Sequence, residues 1–202
     1  MTKSTIYKQD SKFWIALIDM MTSILIIFLL VSFIDSILNP RNIELALIEK
    51  KRNEFIQLLN QEFSGEISKG KIKLTKQFDH LQITFSDGIL FPPASHYLQG
   101  TGRYVLLKCA KTIHAYTNLG NIKDIKTIQV EGHTDTIRLE RTTYPKNNWE
   151  LSTARALSVI NYFESKRIPK QLFSASGHEA NQSFSENLVE NRRIELKIFF
   201  SP

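Results

Sequence analysis

The sequence predicts an α/β (α+β) protein in which a single N-terminal transmembrane helix precedes one mixed sheet with helices on one face. Three observations support this fold class. The apolar stretch from Phe13 to Ile34 is long enough to cross a membrane. After it, segments that alternate apolar and polar residues are interleaved with segments of helical periodicity. The final stretch, Arg192 to Phe200, alternates again and indicates a closing strand. Strands interleaved with two or three helices are typical of a sheet covered by helices.

The apolar stretch FWIALIDMMTSILIIFLLVSFI is interpreted as a membrane span. At about 1.5 Å per residue, a helix of this length covers roughly 33 Å. No small-x-small cleavage pattern comes after it, which favours an uncleaved span over a signal peptide. The first twelve residues carry three lysines and one aspartate, so we expect them to stay in the cytoplasm. The remaining chain would then lie in the periplasm, anchored as a single-pass protein of a bacterial inner membrane.

The elements after the span are predicted from periodicity and from turn residues. Asn39-Pro40 separates the span from the next helical segment. We predict four segments: a cytoplasmic N-terminus (1–12), a transmembrane helix (13–34), a membrane-proximal helix or linker (35–70) and a folded domain (71–202). The predicted elements are a helix over 41–63, strands over 71–77 and 80–86, a loop over 86–95, a helix over about 98–116, a strand over 125–132, a helix over 149–166, a strand over 171–175 and the closing strand over 192–200.

Charge and cysteine content place weak limits on function. The net charge of +6 suits an anionic polymer such as nucleic acid or cell wall, and it suits an ordinary solvated surface equally well. The one cysteine, Cys109, excludes an intrachain disulfide. It lies in the apolar helical run YVLLKCAKTI, so we expect it to be buried.

Several spaced motifs in the second half carry a family resemblance. The predicted strand over 125–132 runs into Gly132-His133-Thr134-Asp135, and a predicted helix opens with N-x-x-L-S-x-x-R-A from Asn148. Asn191-Arg192-Arg193 begins the last strand. Together these motifs resemble the OmpA-like peptidoglycan-binding domain over roughly residues 71–202. The chain departs from that pattern in two places: residues 136–147 form a longer stretch, and the G-Y-G turn reads Ser176-Gly177-His178.

The resemblance implies a binding site for a peptidoglycan stem peptide. A stem peptide that contains diaminopimelate offers carboxylates and an ammonium group. Arg155 would clasp a carboxylate with its planar fork, and Asp135 would accept hydrogen bonds from the ammonium group. Considered without the family, Asp135 and Arg155 fit a structural salt bridge or a helix cap better than a binding site. The full set of predicted binding residues is Thr134, Asp135, Asn148, Leu151, Arg155, Asn191 and Arg192.

Catalytic and metal-binding interpretations receive less support. His133 fits a metal ligand or a base, and His133, Asp135 and Ser152 together fit a triad. However, the sequence near His133 lacks the second histidine or the cysteine that zinc would need. It also lacks a glycine-rich nucleophile elbow. We therefore predict a protein that is not an enzyme, with no catalytic residue, no metal and no cofactor.

Asp19 is the one charged residue inside the predicted span. A carboxylate at the centre of a membrane costs about 2.5–3.5 kcal/mol on insertion scales. We therefore expect Asp19 to contact a partner or to have a function in the membrane. The stretch from Trp14 to Thr22 resembles the B subunit of the flagellar stator, MotB, whose pattern is W-x-x-x-x-x-D-x-M-T. Here only four residues separate Trp14 from Asp19, and D-x-M-T is intact.

That second resemblance implies an ion-driven motor. Asp19, with Thr22 beside it, would take up and release the translocated ion, a proton or else Na⁺. The chain would form a homodimer whose two helices lie inside a pentameric ring of an A subunit of the MotA or ZorA type. The short linker is more similar to ZorB of the Zorya anti-phage defence system than to flagellar MotB. A flagellar subunit and a passive membrane-to-wall tether are the alternatives, and no direct contact with nucleic acid is expected.

Overall fold

The computed structural model describes residues 3–38, 40–116, 124–137, 139–178 and 191–201. These residues belong to two compact units, Met1–Leu47 and Ile48–Pro202.

The first unit is dominated by one long helix, α1 (Lys3–Leu38). It contains the predicted span, and it is long and apolar enough to cross a membrane. Its large apolar side chains from Phe13 to Ile37 are exposed in the isolated chain, as expected for a surface that would face lipid or another protein. The Thr22 hydroxyl donates a hydrogen bond to the Asp19 carbonyl oxygen at 2.9 Å. Asp19 and Thr22 therefore lie one turn apart on the same side of the helix.

The second unit contains a five-stranded sheet and five helices among the described residues. Strand order is β1-β2-β5-β3-β4. The β1–β2, β2–β5 and β5–β3 pairs are antiparallel, and β3–β4 is parallel. The elements are α2 (Pro40–Glu62, from Ile48 in this unit), α3 (Ser64–Ser68), β1 (Ile72–Lys76), β2 (His80–Ser86), α4 (Asp87–Leu90), α5 (Gly100–Tyr116), β3 (Ile125–His133), α6 (Asn148–Ser165), a 3₁₀ turn (Lys170–Leu172), β4 (Phe173–His178) and β5 (Arg193–Phe200).

The predicted fold class is confirmed, because one mixed sheet carries its helices on its apolar face. Alternate residues of each central strand are buried on that face, as a period of two requires. They pack against buried side chains of α5 and α6. Cys109 of α5 is fully buried, as predicted, and burial raises the pKa of its thiol to about 12. The alternating strand residues are Leu81, Ile83, Phe85, Ile128, Val130, Ile194, Leu196 and Ile198.

Part of the segment expected to be a linker belongs to the folded unit. Phe55, Leu59 and Phe63 are fully buried in the core. Arg52 donates hydrogen bonds to the carbonyl oxygens of Gln77 (2.6 Å) and Phe78 (3.0 Å), at the turn between β1 and β2. The compact unit therefore begins at Ile48, whereas the sequence placed the start of the domain at residue 71. The apolar residues in the second half of α2 therefore belong to the core.

The expected loop over 86–95 contains the short helix α4, which the sequence patterns did not predict. Ile89, Leu90 and Phe91 are buried, so this stretch is part of the core. The strand predicted over 171–175 begins two residues later, at Phe173, because Lys170–Leu172 forms the 3₁₀ turn.

Candidate functional site

Two glycines let α6 lie directly on β3 and β4. Gly132 pairs with Gly177 across these strands. A Cβ atom at Gly132 would clash with the carbonyl oxygen of Ser152, and one at Gly177 would clash with the Thr153 hydroxyl. The close approach that glycine permits brings the first turns of α6 beside the end of β3. The segment after β3 is therefore held against the start of the helix.

The start of α6 is fastened by side-chain caps. The Asn147 side chain accepts a hydrogen bond from the Glu150 amide at 2.9 Å, and the Glu150 carboxylate accepts one from the Lys146 amide at 2.7 Å. This reciprocal arrangement is close to a capping box. Asn148 donates to the carbonyl oxygens of Ile137 (2.9 Å) and Asp135 (3.3 Å). Its side chain thus holds the loop that carries Asp135, a role that the predicted peptide contact did not include.

Arg155 extends from α6 and is only 1% exposed. Its Nε donates to the Ser95 carbonyl oxygen at 2.8 Å, and its Nη1 lies 3.1 Å from Asp87 Oδ1. The guanidinium carbon lies 5.2 Å from the centre of the Phe91 ring. Burial lowers the pKa of Arg155, although the guanidinium stays charged at neutral pH. These contacts hold the guanidinium firmly at the position that the motif predicted for ligand binding.

Asp87 is a site residue that the sequence motifs did not include. It lies at the start of α4, inside the stretch expected to be a loop. Burial raises the pKa of its carboxyl group to about 6, despite the opposing effect of Arg155 beside it. An acidic residue just before the apolar run GILF was the only sequence signal, and it did not indicate a partner.

Asp135 and Thr134 present unbonded oxygen atoms. Asp135 Oδ1 accepts a hydrogen bond from the Ile137 amide at 3.1 Å. Its Oδ2 lies 3.3 Å from Arg192 Nη1, yet it accepts no hydrogen bond from any described residue. The buried Thr134 hydroxyl likewise has no partner in the described ranges. Buried oxygen atoms without donors favour a ligand that donates hydrogen bonds.

These groups surround one cleft with a volume of about 160 Å³. Six of the seven predicted binding residues line it, and Asn191 does not. Asn191 is buried, and its carbonyl oxygen accepts a bond from Arg193. Asp135 and Arg155 do not pair with each other: Asp135 faces Arg192, and Arg155 faces Asp87. The lining residues are Pro93, Ala94, Thr134, Asp135, Ile137, Leu139, Asn148, Leu151, Arg155 and Arg192.

The surroundings of His133 differ from the sequence-based expectation. His178 stacks on it with ring centres 4.9 Å apart, because the two residues are paired between β3 and β4. A second histidine is therefore present in space, although none lies near His133 along the sequence. The alternative triad is not assembled, since the Ser152 hydroxyl donates to the Trp149 carbonyl oxygen at 2.9 Å.

The fold and the cleft define a membrane-linked domain of the OmpA type, and comparison with known proteins agrees. The model of the OmpA family matches residues 90–195. This chain belongs to the OmpA family. The protein YtxE of Bacillus subtilis (strain 168) is 31% identical over 219 residues, which cover 94% of this chain and 89% of YtxE.

Solved structures show the same fold at lower identity. A MotB-like protein from Desulfovibrio vulgaris is 22% identical with a TM-score of 0.64, over 77% of this chain and 97% of that one. The cell wall anchor of the type VI secretion system of Pseudomonas aeruginosa is 23% identical with a TM-score of 0.59, over 71% and 97% of the two chains. Likeness at these identities concerns the fold of the second unit.

Proposed function

We propose that this chain is the B subunit of an ion-driven, stator-like motor of the inner membrane, and that its second unit grips peptidoglycan. One observation carries the wall-binding half. Asp135, whose Oδ2 accepts no hydrogen bond from any described residue, and Arg155, whose guanidinium is held by Ser95 and Asp87, line the same small cleft.

The chemistry of the cleft matches one end of diaminopimelate. That end carries an ammonium group, which would donate to Asp135, and a carboxylate, which would accept from Arg155. A volume of about 160 Å³ equals roughly five water molecules at about 30 Å³ each. The α-carbon, ammonium nitrogen and carboxylate of an amino acid are also five heavy atoms. The cleft is therefore large enough for the terminus of a stem peptide.

Co-sedimentation with purified cell-wall sacculi tests this half. The full-length protein in detergent would be compared with Arg155→Lys and Asp135→Asn. We expect each change to weaken binding by about tenfold or more, because lysine keeps the charge but loses the planar fork. Arg103→Ala is the matched control, since it removes an exposed arginine of α5 outside the cleft. Wild-type binding by both cleft variants, with folding preserved, would refute the wall-binding role.

The motor half rests on α1. Asp19 lies within a helix whose large apolar side chains are exposed, and Thr22 lies one turn away on the same side. A passive anchor gains nothing from a charge that is costly to insert. We propose that two copies of α1 lie inside a pentameric A-subunit ring, where Asp19 carries a proton or Na⁺ across the membrane. The driving force would be about 2.3 kcal/mol per charge per 100 mV. The lysine-rich N-terminus would be cytoplasmic and the second unit periplasmic.

Two cellular settings fit this role. The short connection between α1 and the folded unit, which begins at Ile48, favours the ZorB subunit of Zorya anti-phage defence. The fold shared with a MotB-like protein favours the alternative, a flagellar stator subunit. The third alternative is a passive membrane-to-wall tether, in which Asp19 carries no ion.

Substitution of Asp19 in the native operon separates these settings. Asp19→Asn would be compared with Asp35→Asn, which alters an exposed aspartate of the same helix beyond the predicted span. At matched protein levels, we expect Asp19→Asn to abolish function and Asp35→Asn to retain it. Loss of phage resistance identifies the defence motor, and loss of swimming identifies the flagellar one. If Asp19→Asn keeps both, the passive tether replaces the motor.

A further inference from the structure

A second cluster of polar residues lies near the ends of three strands, outside the cleft. Glu131 and His133 of β3, His178 of β4 and Glu195 of β5 are brought together by strand pairing. Glu131, His133 and Glu195 are all buried, and their ligand atoms lie within 4.8 Å of one another. Burial of two carboxylates and an imidazole this close together needs a cation.

The separations in this cluster approach those of a tetrahedral metal site. His133 Nε2 lies 3.5 Å from Glu131 Oε2 and 3.8 Å from Glu195 Oε2. His178 Nε2 lies 3.7 Å from the same Glu131 oxygen. Donor atoms at about 2.0–2.1 Å from a tetrahedral ion are about 3.4 Å apart. Small side-chain movements would therefore bring the donors of Glu131, His133 and Glu195 onto one ion. His178 would have to rotate its ring out of the stack with His133, and away from the Ser176 hydroxyl 3.1 Å from its Nε2, to direct that nitrogen at the same ion.

His133 provides an independent indication of a ligand. It is 2% exposed, and neither of its ring nitrogens has a hydrogen-bond partner among the described residues. A buried imidazole with no partner is uncommon, and its Nε2 is directed at the two carboxylates.

Two cations already contact the carboxylates, and both leave room for a metal. Lys197 Nζ lies 2.7 Å from Glu131 Oε2, but its side chain is 22% exposed and can turn to solvent. Arg193 donates to Glu195 Oε1 at 2.6 Å, whereas Glu195 Oε2 has only the longer contact of 3.8 Å with Lys197 Nζ, which a metal would replace together with the Glu131 contact.

We propose that Glu131, His133, His178 and Glu195 form a binding site for one divalent transition-metal ion, best suited to Zn²⁺. Two imidazoles and two carboxylates are a donor set that zinc accepts, and the two carboxylates balance its charge. The ion would displace Lys197 and join β3, β4 and β5 next to the segment that carries Asp135. The chain has Ser176-Gly177-His178 where the OmpA-like pattern has a G-Y-G turn. This difference in sequence supplies His178 as the fourth ligand.

Zinc titration of the full-length protein in detergent tests the proposal. The protein, with any metal-binding purification tag removed, would be stripped with EDTA and titrated against a chromophoric chelator. We expect saturation at one Zn²⁺ per chain. His178→Ala, which alters a partly exposed side chain, should weaken the affinity by about tenfold or more. Lys197→Met should tighten it, because the competing ammonium group is gone. His96→Ala is the control that removes a histidine outside the cluster and should change nothing.

Spectroscopy with Co²⁺ gives a second readout that does not depend on affinity. Tetrahedral coordination in the wild type would produce intense visible absorption, and His178→Ala should lose most of it. Absence of saturable Zn²⁺ binding, or equal affinity in the wild type and His178→Ala, would overturn the proposal. Neither result bears on wall binding, which uses the separate cleft.

Discussion

At the scale of single residues, the contact between Arg155 and Asp87 is central to the site. Asp87 holds the guanidinium in place but also neutralises it. A buried carboxyl with a pKa raised to about 6 changes its charge close to neutral pH. When Asp87 takes up a proton, the positive charge of Arg155 is no longer balanced by this neighbour. The strength with which the cleft attracts an anion therefore depends on pH.

Binding of a diaminopimelate-containing stem peptide should consequently strengthen as the pH falls from 7.5 to 5.5. Asp87 becomes protonated over this range, while the ligand carboxylates stay ionised and its ammonium stays protonated. We expect an increase of up to about tenfold, equivalent to one unit of pKa change. Isothermal titration calorimetry of the full-length protein at the two pH values measures the effect.

Asp87→Asn is the matched variant for this prediction. Asparagine keeps the shape and an oxygen that can accept from Arg155, but it cannot ionise. Its affinity should be nearly constant across the range and should equal that of the wild type at low pH. Parallel pH curves for the two proteins would show that Asp87 does not control the charge of the cleft.

At the scale of elements, the packing of α6 on β3 and β4 sets the geometry of the cleft. The helix supplies Asn148, Leu151 and Arg155, and the strand leads into Asp135. Their spacing depends on direct contact between the helix backbone and Gly132. The glycine in the GHTD motif thus acts through packing, whereas the aspartate acts through charge.

Gly132→Ala should therefore destabilise the second unit and weaken wall binding together. The added methyl group meets a backbone carbonyl oxygen that cannot turn away, so the helix or the strand must shift. Overpacking of this kind costs about 1–3 kcal/mol. Thermal unfolding followed by circular dichroism measures the first effect, and sacculus co-sedimentation measures the second.

Gly65→Ala is the corresponding control within helix α3. A Cβ atom there meets nothing within 4 Å, so we expect unchanged or slightly increased stability. A Gly132→Ala protein that unfolds at the wild-type temperature and binds sacculi normally would contradict the packing argument.

At the scale of the whole molecule, the folded unit begins within α2. Phe55 packs edge-on against Tyr116 and Phe200, with ring centres 5.0 and 6.0 Å apart. Lys51 adds an ion pair of 2.8 Å with Asp124. The second half of α2 is therefore part of the core.

A fragment that begins at Ile48 should fold cooperatively, and one that begins at Lys71 should not. The shorter fragment lacks Phe55, Leu59 and Phe63, and a buried side chain of this size contributes about 2 kcal/mol or more. We expect a loss of at least about 5 kcal/mol in the free energy of unfolding, seen by urea denaturation or as aggregation. A fragment that begins at Arg41 should match the Ile48 fragment. Equal stability of the Lys71 and Ile48 fragments would show that α2 is dispensable.

Much of this architecture could be predicted from local patterns. Periodicity located α2, α5, α6 and all five strands to within a few residues. It located the apolar part of α1, although that helix begins at Lys3, ten residues before the predicted span. The sequence motifs alone located six residues of the cleft. Both succeed for the same reason, because hydrophobic spacing and motif residues are properties of short segments. Missed features, such as α4, lie where apolar residues occur without a clear period.

The sequence by itself determined the apolar span with its single aspartate, the order of the main helices and strands, and the residues of the binding motif. Only the tertiary structure decided that β5 lies between β2 and β3, that α2 joins the core, and that Arg155 faces Asp87 and the Ser95 carbonyl, 60 residues away along the chain. It also decided that His178 stacks on His133. Such pairings depend on which segments pack together, and that choice is made by the whole core, which no local period records.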